Sequence, residues 1–421
     1  MSPNLILILN ASVYTLLSFR QYKKSHRLNI GVFITAWFAL IAWMGVLYYN
    51  HELFGYFKPN AEFSILPLIY LFVAIYLFVY PILKFDSTQI QQIKLVDDRL
   101  LLFYIYAMLF VEIMAQISML PIVIKILSSG SSVAFREDSY DSVGGGIVIT
   151  NFFLAKLGSI NTAFLATNIV VSVYALIFSR LSKKIRVLFF FCSAIWPSFT
   201  MTAFGNRFYM MSVFVWVVFI VILLLNFIQY KTQKKLILYF ISCSAPVLIS
   251  FVVISLGRFA ELFEYQLYRY LGEPFVNYDT QFFYDLKDYT WGRAYFTTFR
   301  KWLGYPLEFE TLNEKWAFLD SITGVDTHVF YTFIGGFNIE FGFVITLLIG
   351  LLVIKVYRNI CKNIHIISLP KLIALCYLGY ICIQGAFLFP LQGGKNMELL
   401  GVIIAYFYFS KISIPRYQYK L

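Results

Sequence analysis

The sequence predicts an all-α polytopic membrane protein with about eleven transmembrane helices and one large external loop. Three observations lead there. First, 60% of the 421 residues are hydrophobic and mean hydropathy is +0.73, against about 45–50% apolar residues in a typical soluble domain. Second, the apolar residues come in runs close to the roughly 20 residues that carry a helix across a bilayer, without the polar–apolar alternation of barrel strands. Third, the basic residues collect in short connections that all fall on one side when eleven spans are threaded.

In order, the expected spans are Pro3–Phe19, Ile30–Tyr49, Phe63–Leu83, Leu100–Leu127, Asn161–Phe178, Val187–Phe204, Tyr209–Ile228, Leu236–Leu256, Phe341–Val356, Leu372–Phe389 and Leu399–Phe409. They divide the chain into a bundle of about eight spans over 1–256, a large loop over 257–338, and three C-terminal spans with a tail over 339–421. The first span has almost no basic flank and no small-residue cleavage site, so it reads as a retained helix. Residues 141–159 hold a triple glycine, Asn151 and Lys156. They could extend the fifth span, but read better as a half-helix or interfacial helix outside the membrane, since breaks at depth are tolerated where a cavity is lined. A second break, Thr202–Arg207, separates two short spans.

The formal charge of +12 suggests nucleic acid, but its distribution excludes that partner. Arg20–Arg27, Arg180–Arg186, Lys231–Lys235, Lys355–Lys371 and Lys411–Lys420 share one side, which the positive-inside rule makes cytoplasmic. The N-terminus is then outside and the C-terminus inside. The loop Arg258–Phe337 carries seven Lys/Arg against eleven Asp/Glu and lies outside. The five cysteines (Cys192, Cys243, Cys361, Cys376 and Cys382) avoid that loop, so no disulfide framework or thiolate metal site is expected.

Within the loop, Arg258–Leu271 has apolar residues at helical spacing, with Phe259, Leu262, Phe263, Gln266 and Tyr270 on one face. It is expected to lie along the membrane surface. Gly272–Asp288 reads as irregular, and Thr290–Leu303 as a second amphipathic helix.

Four arginines could carry chemistry. Arg207 follows Gly205–Asn206 at a span mouth, Arg258 opens the loop, and Arg269 and Arg293 lie within it. An arginine fork suits phosphate and pyrophosphate; the alternative is snorkelling to lipid headgroups. His328, the one histidine of the loop, could act as a general base near neutral pH or simply be a hydrogen-bonded loop residue. Tyr268, Trp291 and many further rings are interspersed with carboxylates. Together they could form a carbohydrate groove, or an aromatic belt at the interface. No HExxH, GxxxxGK[ST] or GxSxG occurs, so no zinc site, ATP-driven step or hydrolase elbow is expected. Glu112 is the clearest intramembrane carboxylate, too little for a proton-coupled transporter.

The chain resembles the bacterial Wzy-type O-antigen and oligosaccharide repeat-unit polymerases, relatives of the O-antigen ligases. The resemblance covers the whole topology. It rests locally on TAFGNRFYMM (Thr202–Met211), similar to the family's Gly-x-Arg at a span mouth, and on THVFYTFIGGFNIEFGFVITLLIG (Thr327–Gly350). The second is similar to the family's pattern of His followed about a dozen residues later by Glu/Asp-Phe-Gly. Arg293 followed by Gly304 resembles a further family motif. The residue after His328 is Val329, where ligases carry asparagine.

The resemblance implies a GT-C-like glycosyltransferase of the bacterial inner membrane that needs no metal, nucleotide or other cofactor. Its substrate would be an undecaprenyl-pyrophosphate-linked oligosaccharide, and a chain-length-determining co-polymerase would be a possible partner. Arg207 and Arg258 would hold pyrophosphate, assisted by Arg269 or Arg293. His328 would serve the acceptor hydroxyl with Glu340 as its partner, and Tyr268 and Trp291 would bind substrate. An O-antigen ligase and a lipid-linked oligosaccharide flippase are the alternatives.

Overall fold

The computed structural model describes residues 1–58, 61–129, 151–203, 207–228, 262–326, 330–362 and 365–419. Its helices are α1 Pro3–Ser25, α2 Ile30–Asn50, α3 Phe54–Phe57, α4 Ile65–Lys84, α5 Asp98–Ser129, α6 Phe152–Phe178, α7 Lys183–Phe190, α8 Trp196–Ala203 and α9 Arg207–Leu224. Beyond them come α10 Phe263–Asn277, α11 Thr297–Trp302, α12 Leu312–Thr323, α13 Phe333–Ile360, α14 Leu369–Gly385 and α15 Asn396–Lys411. Six of these, α2, α4, α5, α6, α9 and α13, are long and apolar enough to cross a membrane. The protein is therefore largely helical and membrane-embedded.

Helix occupies every expected span except Leu236–Leu256, which lies outside the described residues. The remaining helices fall short of a full apolar span for visible reasons. α1 ends in Arg20, Lys23 and Lys24, and α14 and α15 have 17 and 16 residues. α7 and α8 are joined by a π-helical turn over Phe191–Ile195.

Local signals start these helices where capping chemistry predicts. Ser2 accepts the Leu5 N–H ahead of Pro3. Asn29 accepts the Val32 N–H at 2.8 Å. Asn151 accepts the N–H groups of Phe153 and Leu154. That last cap favours the first of the two readings of 141–159, an extension of the fifth span, over the interfacial helix. From Phe152 onward the segment is the start of the continuous helix α6 rather than a separate interfacial piece, and 141–150 lie outside the described residues.

The all-α expectation also needs a correction. Gln92–Val96 (β1), Ile366–Ser368 (β2) and Ser413–Tyr419 (β3) form a small sheet in the order β2-β1-β3, with β1 parallel to β2 and antiparallel to β3. All three strands come from connections assigned to one side by charge. The segments assigned to the other side meet at the opposite end of the bundle. There Lys58 bonds Asn277 and Gln281, Tyr284 bonds Ser64, and Lys315 bonds Gln392. The chain thus separates into a sheet end and a loop end.

The 257–338 region differs from its expected outline in two places, and its packing adds a third feature. α10 runs on through Gly272 and Pro274 to Asn277 and into a π-helical turn over Tyr278–Phe282, where irregular chain was expected. Its inward face carries Tyr265, Gly272, Phe275 and Val276, while Leu262, Phe263 and Tyr270 are exposed on the other side. The physical cause is Gly272, which lets the backbones of α10 and α2 touch at Met44–Gly45. Finally, only Thr297–Trp302 of the expected second helix is helical, because Trp291 and Gly292 both take left-handed backbone angles (φ 53° and 83°).

Candidate functional site

α13 is two helices joined across a kink. It begins at Phe333, inside the region read as loop, and Gly342 interrupts it with φ 77°. Any side chain at 342 would be strained by that angle, and its Cβ would lie 2.5 Å from Cζ of Tyr289. The stretch Phe333–Glu340 is buried throughout, and Glu340 ends it with no solvent exposure.

The Glu340 carboxylate holds a turn of the neighbouring segment. It accepts the Thr290 hydroxyl at 2.6 Å, the Gly292 N–H at 2.5 Å and the Tyr295 N–H. The Thr290 and Trp291 N–H groups bond the carbonyls of Ile339 and Glu340. A buried carboxylate is stable only when its oxygens are satisfied in this way. Glu340 therefore contacts the protein's own chain. Arg293 is likewise engaged internally. Its Nε donates to the Thr290 carbonyl at 3.0 Å and its guanidinium lies 5.5 Å from the Phe318 ring centre. Gly304, its partner in the sequence motif, has φ 81° and open space around it, consistent with a turn.

Beside this turn lies Lys315, a residue that the sequence did not single out. It is 9% exposed, donates to Gln392 Oε1 at 3.2 Å and lies 4.3 Å from the Tyr295 ring centre. Burial pushes its ammonium down to about 8, partly offset by Glu340. Gln392 opens the Gly393–Lys395 turn ahead of α15. The Gly393 N–H bonds the Tyr295 carbonyl at 2.9 Å. Lys395 in turn lies 5.8 Å from the ring of Tyr209, two residues into α9 from Arg207. The Gly-x-Arg fragment and the Glu-Phe-Gly fragment thus reach the same end of the bundle, linked through Tyr295, Gly393 and Lys395. Arg207 opens α9; Gly205 and Asn206 lie outside the described residues.

A second polar group lies between α2, α3 and α10. Lys58 donates to Asn277 Oδ1 at 2.7 Å and Gln281 Oε1 at 2.5 Å. Burial lowers its pKa, against the opposing pull of Glu273. Arg269 pairs with Glu273 at 3.3 Å; Arg269 is partly exposed and Glu273 buried. Tyr268 donates to Glu264 at 2.8 Å on the outer side of α10. Asn277 also donates to the Phe330 carbonyl at 3.1 Å, and Tyr331 bonds Tyr295. The chain immediately after 327–329 is thereby tied to both polar groups. His328 itself and Arg258 lie outside the described residues.

Asp279, in the same group, accepts the Ser64 N–H at 3.0 Å, while its second oxygen is buried with no partner among the described residues. Burial pushes this carboxyl up from 3.8 to about 7. A raised acid pKa means that the native state holds the proton more tightly than the unfolded chain. The resulting stabilisation is complete below about pH 4 and is lost as pH rises through about 7. Thermal unfolding of wild type and Asp279→Asn checks this. From about pH 4 to pH 8 the difference should move by roughly 2–4 kcal/mol in favour of the variant, and a constant difference would refute it.

No family model, curated protein or solved structure matches this chain significantly.

Proposed function

We propose that the protein polymerises undecaprenyl-pyrophosphate-linked oligosaccharide repeat units into a surface polysaccharide such as O-antigen, at the outer face of the bacterial inner membrane. What carries this reading is the meeting of the two family-like fragments at one end of a membrane-embedded bundle, among cations and rings. Arg207 starts α9, Lys395 lies over the Tyr209 ring of that helix, and Lys315 and the Glu340 turn are linked to the Lys395 segment through Gln392, Gly393 and Tyr295. The N-terminus would then be periplasmic and the C-terminus cytoplasmic, with the sheet end inside, as the charge distribution implies.

The reaction forms a bond between the anomeric carbon of the growing chain and a hydroxyl oxygen of the incoming unit. The bond from that carbon to pyrophosphate breaks, and undecaprenyl pyrophosphate leaves. Arg207 and Arg258, assisted by Arg269 or Arg293, would neutralise the departing charge, the term that dominates such transfers. His328 would take the acceptor proton. A separate co-polymerase would set chain length.

Gel banding of lipopolysaccharide tests the reading. Cells deleted for the gene should show core plus a single repeat, and the wild-type gene should restore the ladder. Arg207→Ala and His328→Ala, expressed at normal levels, should lower polymer by about 100-fold or more. A full ladder in the deletion would exclude the polymerase, and unattached polymer would point to a ligase.

A further inference from the structure

We infer that Trp291 is a stacking platform for a pyranose ring of the oligosaccharide and that Glu340 is the positioning residue that aims it. The identity of the ligand rests on the polymerase reading; the platform itself rests on geometry. Trp291 is 58% exposed, yet its backbone sits at φ 53°, a left-handed angle that disfavours side chains with a Cβ. Such strain persists only where the surroundings over-determine the conformation.

The surroundings here are explicit. The Trp291 N–H bonds the Glu340 carbonyl, and the residues on both sides, Thr290 and Gly292, bond the Glu340 carboxylate. One buried residue thereby fixes the direction of one exposed indole. A lipid-interface anchor has no need of a fixed direction, whereas a ring that must meet one face of a sugar does. Tyr289 stands edge-on to the indole at 6.0 Å, and the exposed Asp288 lies three residues before it, a carboxylate suited to sugar hydroxyls.

The test uses the full chain in lipid nanodiscs. The probe is the oligosaccharide released by mild acid from the lipid-linked units that accumulate in the deletion strain. Tryptophan emission should change on adding it to wild type and not to Trp291→Phe. Brominated lipids should remove the same absolute emission intensity from wild type and Trp291→Phe. Trp291→Gly, which accepts the left-handed angle without strain, should keep or raise Tm while the KM for the intact lipid-linked oligosaccharide from the deletion strain, followed as polymer formed, rises about ten-fold and kcat is unchanged.

An emission unmoved by sugar, a lipid-quenched component missing only from Trp291→Phe, or an unaltered KM in Trp291→Gly would each overturn the platform. If the wild-type gene fails to restore polymer, the polymerase reading falls instead, and with it the identity of the ligand.

Discussion

Gly272→Val is expected to detach α10 from α2 and with it the whole loop-end polar group. A Cβ at 272 would run into the carbonyl of Met44 and the backbone nitrogen of Gly45. These are backbone atoms of another helix, so no rotamer change relieves the clash. Overpacking commonly costs about 1–3 kcal/mol, and a backbone-to-backbone crossing belongs at or above the upper end. The bonds from Lys58 to Asn277 and Gln281, and from Ser64 to Asp279, should be lost together. Limited proteolysis should cut the 262–326 segment faster, and thermal unfolding in detergent should come earlier. Gly55→Ala is the control, since no atom lies within 4 Å of its Cβ; it should leave both readouts unchanged. Equal behaviour of the two variants would refute the close crossing.

The second large effect is expected from Glu340→Ala. Removal of the carboxylate leaves the N–H groups of Gly292 and Tyr295 without acceptors and the Thr290 hydroxyl with only its longer contact to the Ile339 carbonyl at 3.3 Å. Each stranded donor costs about 1–3 kcal/mol, so the total is expected near 3–6 kcal/mol. Lys315 would also lose the carboxylate that favours its charged form. Combining Glu340→Ala with Lys315→Met should therefore cost less than the sum of the two single changes. Strict additivity, or an unchanged unfolding temperature for Glu340→Ala, would show that the turn is held by other means.

Much of the helical framework was legible because lipid solubility is a composition property. A run of about 20 apolar residues needs no partner to declare itself. The alternation of connections was similarly informative, since the three strand-bearing ones predicted on one side meet in the small sheet. The small sheet was not legible. β1, β2 and β3 are three to seven residues long and far apart in the chain, so their pairing depends on the helices between them. The inward face of α10 was not legible for a related reason. The contact that orients it is a glycine, which carries no hydrophobic signal.

The candidate site divides in the same way. Arg207 and Trp291 were visible as an isolated cation at a span mouth and an aromatic residue in a polar loop. Glu340 was visible as a residue but not in its role, which comes from Thr290, Gly292 and Tyr295, about fifty residues earlier in the chain. Lys58, Lys315 and Lys395 carried no signal, since a lone lysine beside an apolar run reads as a solvated or snorkelling charge.

By itself, the sequence determined that the chain enters a membrane, where its helices lie and which connections share a side, because apolar length and charge act locally. Only the tertiary structure decided what Glu340 holds, which face α10 buries and which lysines lose water. Those outcomes depend on hydrogen bonds and close contacts between segments that are distant in sequence and become neighbours only in the folded bundle.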